Sequence, residues 1–331
     1  MRSVRDLQSA AVTASQAGAS FVIAVDAGGT HTRVQCFGVD GASLSTALGR
    51  GGSADHDHDA ARNVAGAVSD ALQRGGLDPA GALAAVVGVA GVSRPGSNQG
   101  NRTSGWARSH YALPLLDCPV VFVNDAVTAH RGALLGEPGV IVVAGTGSMV
   151  LAVTADGTEV ESGRFEHYAG GARHLVYEVV QEVLLGRTTA ADTGFVEEVL
   201  HHWGAADVPG LRQALLGLAD VDRNEVKRRY GRLAPLVTAA ADTSPLADRA
   251  LRALTESTAA GVLLLAPLVG AEPVPVAVTG ALAGDPAFQA RLSDSLEAHG
   301  TTGTHLVPPA LGPLGGAALS LIHISEPTRP Y

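Results

Sequence analysis

Apolar positions in the first half of the chain form short continuous runs broken by glycine and polar turns; past the middle they take helical spacing. Phe21 to Val25 is apolar and stops at Asp26, Gly28 and Gly29 follow, then Thr30 and Thr32, and a second run covers 34–39. That order predicts strand, tight turn, strand, with an acid at the end of the first strand and bare backbone in the turn. Asp40-Gly41 is a hairpin-turn dipeptide and predicts a third strand over 42–48. A polar loop over 49–59 precedes an alanine-rich helix over 60–74. Residues 84–89 are continuously apolar, as a strand buried on both faces requires, and lead into Ala90-Gly91-Val92-Ser93-Arg94-Pro95. Residues 119–123 predict the next buried strand, closed by Asn124-Asp125, with a helix over 126–135.

The pattern then restarts. Residues 140–143 are a strand, Gly145-Thr146-Gly147-Ser148 a turn, 149–153 a second strand, and Asp156-Gly157 repeats the hairpin dipeptide. VIAVDAGGTHTRV and VIVVAGTGSMVLAV read as two copies of one hairpin, which predicts two domains of like topology facing each other. Helical spacing follows over 173–185, 195–203, 211–218 and 224–241. Ser244 and Pro245 form a helix start for a long helix to about 268. A buried strand over 274–278 ends in Thr279-Gly280, a helix starts at Pro286, a short strand covers 306–307, and a last helix runs over 311–318. The expected domains are 21–125 and 126–318, after a loose leader over 1–20. The end of the chain, LSLIHISEPTRPY over 319–331, resembles the read-through translation of a sequencing-library adapter, so it is expected to be non-native. His323 and Glu326 are left out of the site for that reason.

Composition narrows the class. Of 331 residues, 46% are hydrophobic and 17% charged, which requires a folded globular chain rather than a disordered one. A net charge of −9 without a Lys/Arg cluster argues against nucleic acid as a partner. Cys36 and Cys118 are far apart and offer neither a disulfide framework nor a zinc pattern, which suits a reducing compartment. No apolar run reads as long enough to span a membrane and the first 20 residues lack a secretory core, so a cytoplasmic protein without a membrane partner is expected.

Glycine turns leave backbone N–H groups that can converge on an anion. With Asp26 beside the first turn to hold a hydrated Mg²⁺, a metal–nucleotide phosphate is one reading; an ordinary glycine hairpin is the other. The repeat favours the first, with the two turns gripping a triphosphate from both sides.

The two glycine hairpins, Asn124-Asp125 and the strand–glycine turn at 276–280 resemble the actin-like ATPase and sugar-kinase fold. More narrowly, the chain resembles the N-acetylglucosamine kinase and BadF-type ATPase family over about 21–318. The most specific pieces are D-A-G-G-T-H-T (26–32), N-D-A (124–126) and P-G-V-I-V-V-A-G-T-G-S (138–148). The resemblance implies an α/β chain of two RNase H-like domains with a nucleotide cleft between them, and the use of ATP and Mg²⁺. Under it Asp26 organises the metal through water, and Gly28, Gly29, Thr30 and Thr32 line the phosphates with Gly145, Thr146 and Gly147. Gly280 lies at the adenosine, and Asp125 is the general base for the acceptor hydroxyl. Asp125 has a plainer reading as helix N-cap. Ser93, Arg94, Asn124 and Asp55 are the expected acceptor contacts; for Ser93 and Arg94 the alternative is turn chemistry before Pro95. The family's frequent dimers make a homodimer the expected assembly.

Two stretches depart from the family. Gly171 and Ala172 stand where it carries an acid pair, which opens the substrate and, less so, catalysis to question; Glu166 and His167 are either replacement contacts or solvated loop residues. Asp55 stands where the family tends to place an asparagine against an N-acetyl group. An acceptor-only carboxylate there favours an amine, so a free amino sugar or aminocyclitol is an expected acceptor class. The His/Asp alternation at 55–59 has a metal reading and a polar-loop reading. An iron–sulfur activator of the same superfamily needs a cysteine soon after the second glycine turn, and none follows Gly147. The expected function is ATP-dependent phosphorylation of an amino sugar or related small molecule; the alternative is a nucleotide-binding pseudokinase or sensor.

Overall fold

The computed structural model describes residues 20–92, 103–299 and 303–324. The chain divides into two compact units, residues 1–137 with 309–331, and residues 138–308.

The first unit opens with β1 (Phe21–Ala27), β2 (His31–Gly38) and β3 (Ser43–Arg50), continues through α1 (Ala60–Gly75), β4 (Ala82–Val89), α2 (Ser104–His110) and β5 (Val120–Asn124), and reaches α3 (Asp125–Leu134). Its sheet has the order β3-β2-β1-β4-β5. β1 pairs antiparallel with β2 and parallel with β4, and β4 pairs parallel with β5. The continuous apolar runs are explained by cover on both faces: Phe21, Ile23, Val25 and Ala27 pack with α1, while Ala24 and Val86 pack on Ala317 from the chain's end. β2 alternates instead, burying Thr32, Val34 and Cys36 and exposing His31 and Arg33, and β3 buries Ala47 alone, as an edge strand does.

The second unit holds β6 (Gly139–Ala144), β7 (Ser148–Val153), β8 (Glu159–Glu161), α4 (Ala172–Leu184), α5 (Thr193–His202), α6 (Val208–Leu216), α7 (Arg223–Ala240), α8 (Pro245–Val269), β9 (Val274–Thr279), α9 (Pro286–Ala298) and β10 (Thr304–Val307). Its sheet order, β10-β9-β6-β7-β8, repeats that of the first unit strand for strand, as the hairpin echo predicts. α10 (Pro313–Ile324) then returns the chain to the first unit.

The division between units falls after Glu137, not after Asp125. α3 belongs with the first sheet because it is held from both sides. A side chain on Gly88 of β4 would lie 2.6 Å from Thr128 Oγ1, and Gly316 of α10 lies against the backbone of Thr128 and Gly132. Ala310 and Leu311 donate to the carbonyls of Ala133 and Gly132 at 3.0 Å each. α10 also runs on through Ile324, past the expected boundary at 318, with Arg131 donating to Ser320 at 2.8 Å.

The expectation that no run is long enough to cross a membrane is corrected by α8, which at 25 residues with mean hydropathy 1.2 passes that test by length and composition. Its packing is that of a core helix: Leu246, Ala250, Leu254, Leu265 and Val269 are buried in the second unit's core.

Candidate active site

In the first unit the carboxyl ends of β1, β4 and β5 lie side by side. Asp26 is opposite Gly88, Ala27 opposite Val89, and Val89 opposite Asn124. Open α/β sheets bind ligands beyond this edge. Asp26 is buried and sits directly across the β1–β2 hairpin from Arg33, whose Nη1 lies 3.2 Å from Asp26 Oδ2. Burial pushes the Asp26 carboxyl above its ordinary pKa, and the Arg33 charge pulls it partly back. Sequence reasoning missed Arg33, although its place in the register follows from counting out from the glycine turn.

The turn itself is more closed than expected. Gly28 N donates to His31 O at 3.0 Å, and Gly28 O accepts from Gly52 N at 3.0 Å. The Gly28 amide is therefore committed to the turn and not offered to an anion. Gly29 lies against the His56 ring, with 3.1 Å from an added Cβ to Cγ, and Thr30 is half-buried in the turn. Thr32 is fully buried and donates its hydroxyl to Arg50 O at 2.7 Å. It joins β2 to β3, and its expected place on the phosphates is corrected, because the buried hydroxyl is spent on that bond.

The loop carrying Asp55 is fixed from several sides. Asn63 Nδ2 donates to Gly51 O at 2.8 Å, Tyr111 Oη donates to Gly52 O at 2.8 Å and accepts from Ala54 N at 3.1 Å, and Ser53 Oγ donates to Ala90 O at 2.8 Å. Asp55 is exposed, and its Oδ2 occupies the space that a Cβ on Gly91 would take. Gly91 also has φ of +87°, so glycine is required there twice over. Asn124 reaches the same strip, its Nδ2 donating to Val92 O at 2.8 Å. Residues 90–92, at the end of β4, thus meet Asp55 at Gly91 and Asn124 at Val92. Neither Tyr111 nor Asn63 was anticipated; a lone tyrosine in a loop carries no periodic signal.

Asn124 caps α3, its Oδ1 accepting from Ala126 N at 2.8 Å, and that N–H is shared with Asp125 Oδ1 at 3.0 Å. Asn124 is buried with both ends of its amide bonded to backbone, so it holds the site's frame rather than facing an acceptor. Asp125 is half-buried at the first position of α3. Ser93 and Arg94 lie outside the described residues.

In the second unit, Gly145, Thr146 and Gly147 form the turn between β6 and β7. α4 begins against it: Ala172 N donates to Gly145 O at 2.9 Å and Arg173 N to Thr146 O at 3.2 Å. A Cβ on Gly171 would strike the Gly147 carbonyl and lie 2.8 Å from Gly145 O. The expected acid position at 171 therefore has no room for a side chain. Gly280, with φ of +103°, lies against the same turn, and an added Cβ would be 2.6 Å from Ala144 O and 2.8 Å from Gly145 N. The residues expected at phosphates and adenosine in this unit are thus brought together. Ser148 Oγ donates to Ala169 O, tying the 162–171 stretch to the turn. Within that stretch His167 is anchored through Nε2 to Ser257 O at 2.8 Å, and Glu166 is exposed with φ of +54°. His174 Nδ1 accepts from Gly171 N at 3.0 Å; burial, and then the Arg173 charge, hold its pKa below the ordinary value.

Among the described residues no three His, Cys, Asp or Glu side chains are grouped to hold a metal, and 55–59 forms turns ahead of α1. Cys36 is buried, Cys118 is half-buried, both are free, and burial raises both thiols.

Two five-stranded sheets of one topology, each with a glycine hairpin at its centre, define the actin-like ATPase and sugar-kinase class. The BadF/BadG/BcrA/BcrD ATPase family model matches residues 23–320, and the chain belongs to that family. Among solved structures, a candidate N-acetylglucosamine kinase from Chromobacterium violaceum is similar at 26% identity and TM-score 0.68, over 92% of this chain and 99% of that one. Another from Porphyromonas gingivalis is 16% identical with TM-score 0.66, over 92% and 99%. A ROK family glucokinase from Streptomyces griseus, in complex with glucose and AMPPNP, shares the fold at 19% identity and TM-score 0.58, over 91% and 99%. No curated protein matches the chain.

Proposed function

We propose that this ATPase-family chain is an ATP-dependent kinase that phosphorylates a hydroxyl of an amino sugar or related small molecule. The observation that carries the reading is the strip at 90–92, met by Asp55 at Gly91 and by Asn124, the neighbour of Asp125, at Val92, at the carboxyl edge of the first sheet. In it Asp125 takes the proton from the acceptor hydroxyl as that oxygen attacks the terminal phosphorus of ATP. Asn124 and Gly88 position Asp125, the first by capping α3 and the second by letting α3 approach β4. Asp55 favours an acceptor with a protonated amine over an acetamide, since a carboxylate only accepts hydrogen bonds. The Gly145–Gly147 turn and Gly280 hold the nucleotide. The similarity to the Chromobacterium violaceum protein supports a sugar as acceptor.

Asp26 suits a hydrated Mg²⁺, which commonly binds through one or two carboxylates and the substrate's phosphates. It does not suit a closed protein cage, because its carboxylate shares Arg33 and no group of three ligands surrounds it among the described residues. Bound there, the ion would neutralise phosphate charge. Association of two copies is carried over from the family as part of the proposal.

ADP release measured with glucosamine, N-acetylglucosamine and an aminocyclitol tests the reading. The expected result is stimulation by an amine-bearing acceptor above the basal rate. A second reading, a nucleotide-binding sensor, is favoured by the absence of side-chain space at Gly171; tight nucleotide binding with no acceptor response selects it.

A further inference from the structure

Arg173 stands in the first turn of α4, with its own N–H on Thr146 O at 3.2 Å. Its Nε is buried and has no hydrogen-bond partner among the described residues. A guanidinium keeps its charge and carries five donors, so an enclosed Nε without a partner, on a half-buried arginine whose backbone is bonded to the glycine turn, is in want of an anion. The helix end cannot bind that anion through its amides. Those of Ala172, Arg173, His174 and Leu175 are already bonded, to Gly145, Thr146 and, twice, Gly171 carbonyls. Positive charge at this place has to come from a side chain. The resemblance places acids at Gly171 and Ala172, and this chain has none at either position. The neighbouring His174 has its pKa lowered, by burial first and then by the Arg173 charge.

We infer that Arg173 binds the polyphosphate of the nucleotide at the Gly145–Gly147 turn, as a charge-assisted donor that this chain has in place of the family's acid pair. The inference rests on the reading of that turn as a nucleotide site. The planar fork matches two phosphate oxygens at once, which a lysine cannot do.

Calorimetric titration of AMPPNP and of adenosine into the full chain, as wild type, Arg173→Gln and Arg173→Lys, tests it. The expected result is that Arg173→Gln weakens AMPPNP about tenfold or more, leaves adenosine unchanged, and flattens the salt dependence of AMPPNP binding. Arg173→Lys should fall between. If wild type binds AMPPNP and Arg173→Gln binds it equally well, the inference is overturned while the kinase reading stands. If wild type binds neither ligand, both fall. Thermal melts accompany each variant. Should Arg173→Gln fail to fold, Arg173→Lys carries the test, and wild-type affinity for AMPPNP in it overturns the inference.

Discussion

Arg33 lies directly opposite Asp26 across the β1–β2 hairpin, its Nη1 3.2 Å from a carboxylate that is otherwise buried. Burial raises the Asp26 pKa above its unfolded value, so the ionised group costs stability near neutrality, and that cost is relieved as pH falls through the folded pKa. Arg33 offsets part of it. Its side chain is half-exposed, which screens the pair. Arg33→Ala should lower stability by about 1 kcal/mol near neutral pH, and the difference from wild type should close as pH falls through the raised folded pKa of Asp26. Thermal melts across that range check it.

Asp192 behaves in the opposite way. Burial alone would raise its pKa, but it accepts from Leu246 N at 2.8 Å, Ser244 Oγ at 2.7 Å, and Thr189 N and Oγ1 at 2.8 Å each, and the balance lowers it to about 2. A depressed carboxyl contributes stability above its unfolded pKa and loses it as pH falls through the folded one. Asp192→Ala should cost about 2–3 kcal/mol at neutral pH by urea unfolding, with the gap to wild type narrowing from about pH 4 to pH 2.

Gly88 is where α3 meets β4, and any side chain there meets Thr128. Gly88→Ala should displace the start of α3, and Asp125 with it. Acceptor-dependent turnover should fall at least about tenfold, since small misplacements of a reacting group are costly, while nucleotide affinity stays near wild type. Steady-state kinetics beside nucleotide titration separate the two effects.

Restoring an acid at 171 should not restore the family's site. Gly171→Asp sets a side chain against the Gly147 carbonyl, so the α4 start must shift. A loss of about 1–3 kcal/mol, the range of overpacking, together with weaker AMPPNP binding is expected from melts and calorimetry.

The sheets were legible from the sequence because their signals are local. Apolar runs, D-G dipeptides and the two glycine hairpins predict the strands, and the hairpin echo predicts the repeated topology found in β1–β5 and β6–β10. Gly145 and Gly280, far apart in sequence, were both legible through the family resemblance, and the fold brings them together. What stayed hidden is long-range. The return of α10 to α3 moves the unit boundary past Asp125, and no pattern near residue 125 encodes a partner almost 190 positions later. Thr32 and Asn124 look like site residues as letters, yet the register buries one and the helix cap occupies the other. Tyr111, which fixes the Asp55 loop, and Arg33 are visible only once loops and strands are paired.

The most direct test of the account is acceptor-stimulated ADP release by Asp125→Asn. The helix cap on Asn124 survives that change, so the fold should too. A fall of about 10²–10⁴ in the acceptor-dependent rate is expected, the range ascribed to a general base, with AMPPNP affinity unchanged. Turnover at the wild-type rate would contradict it.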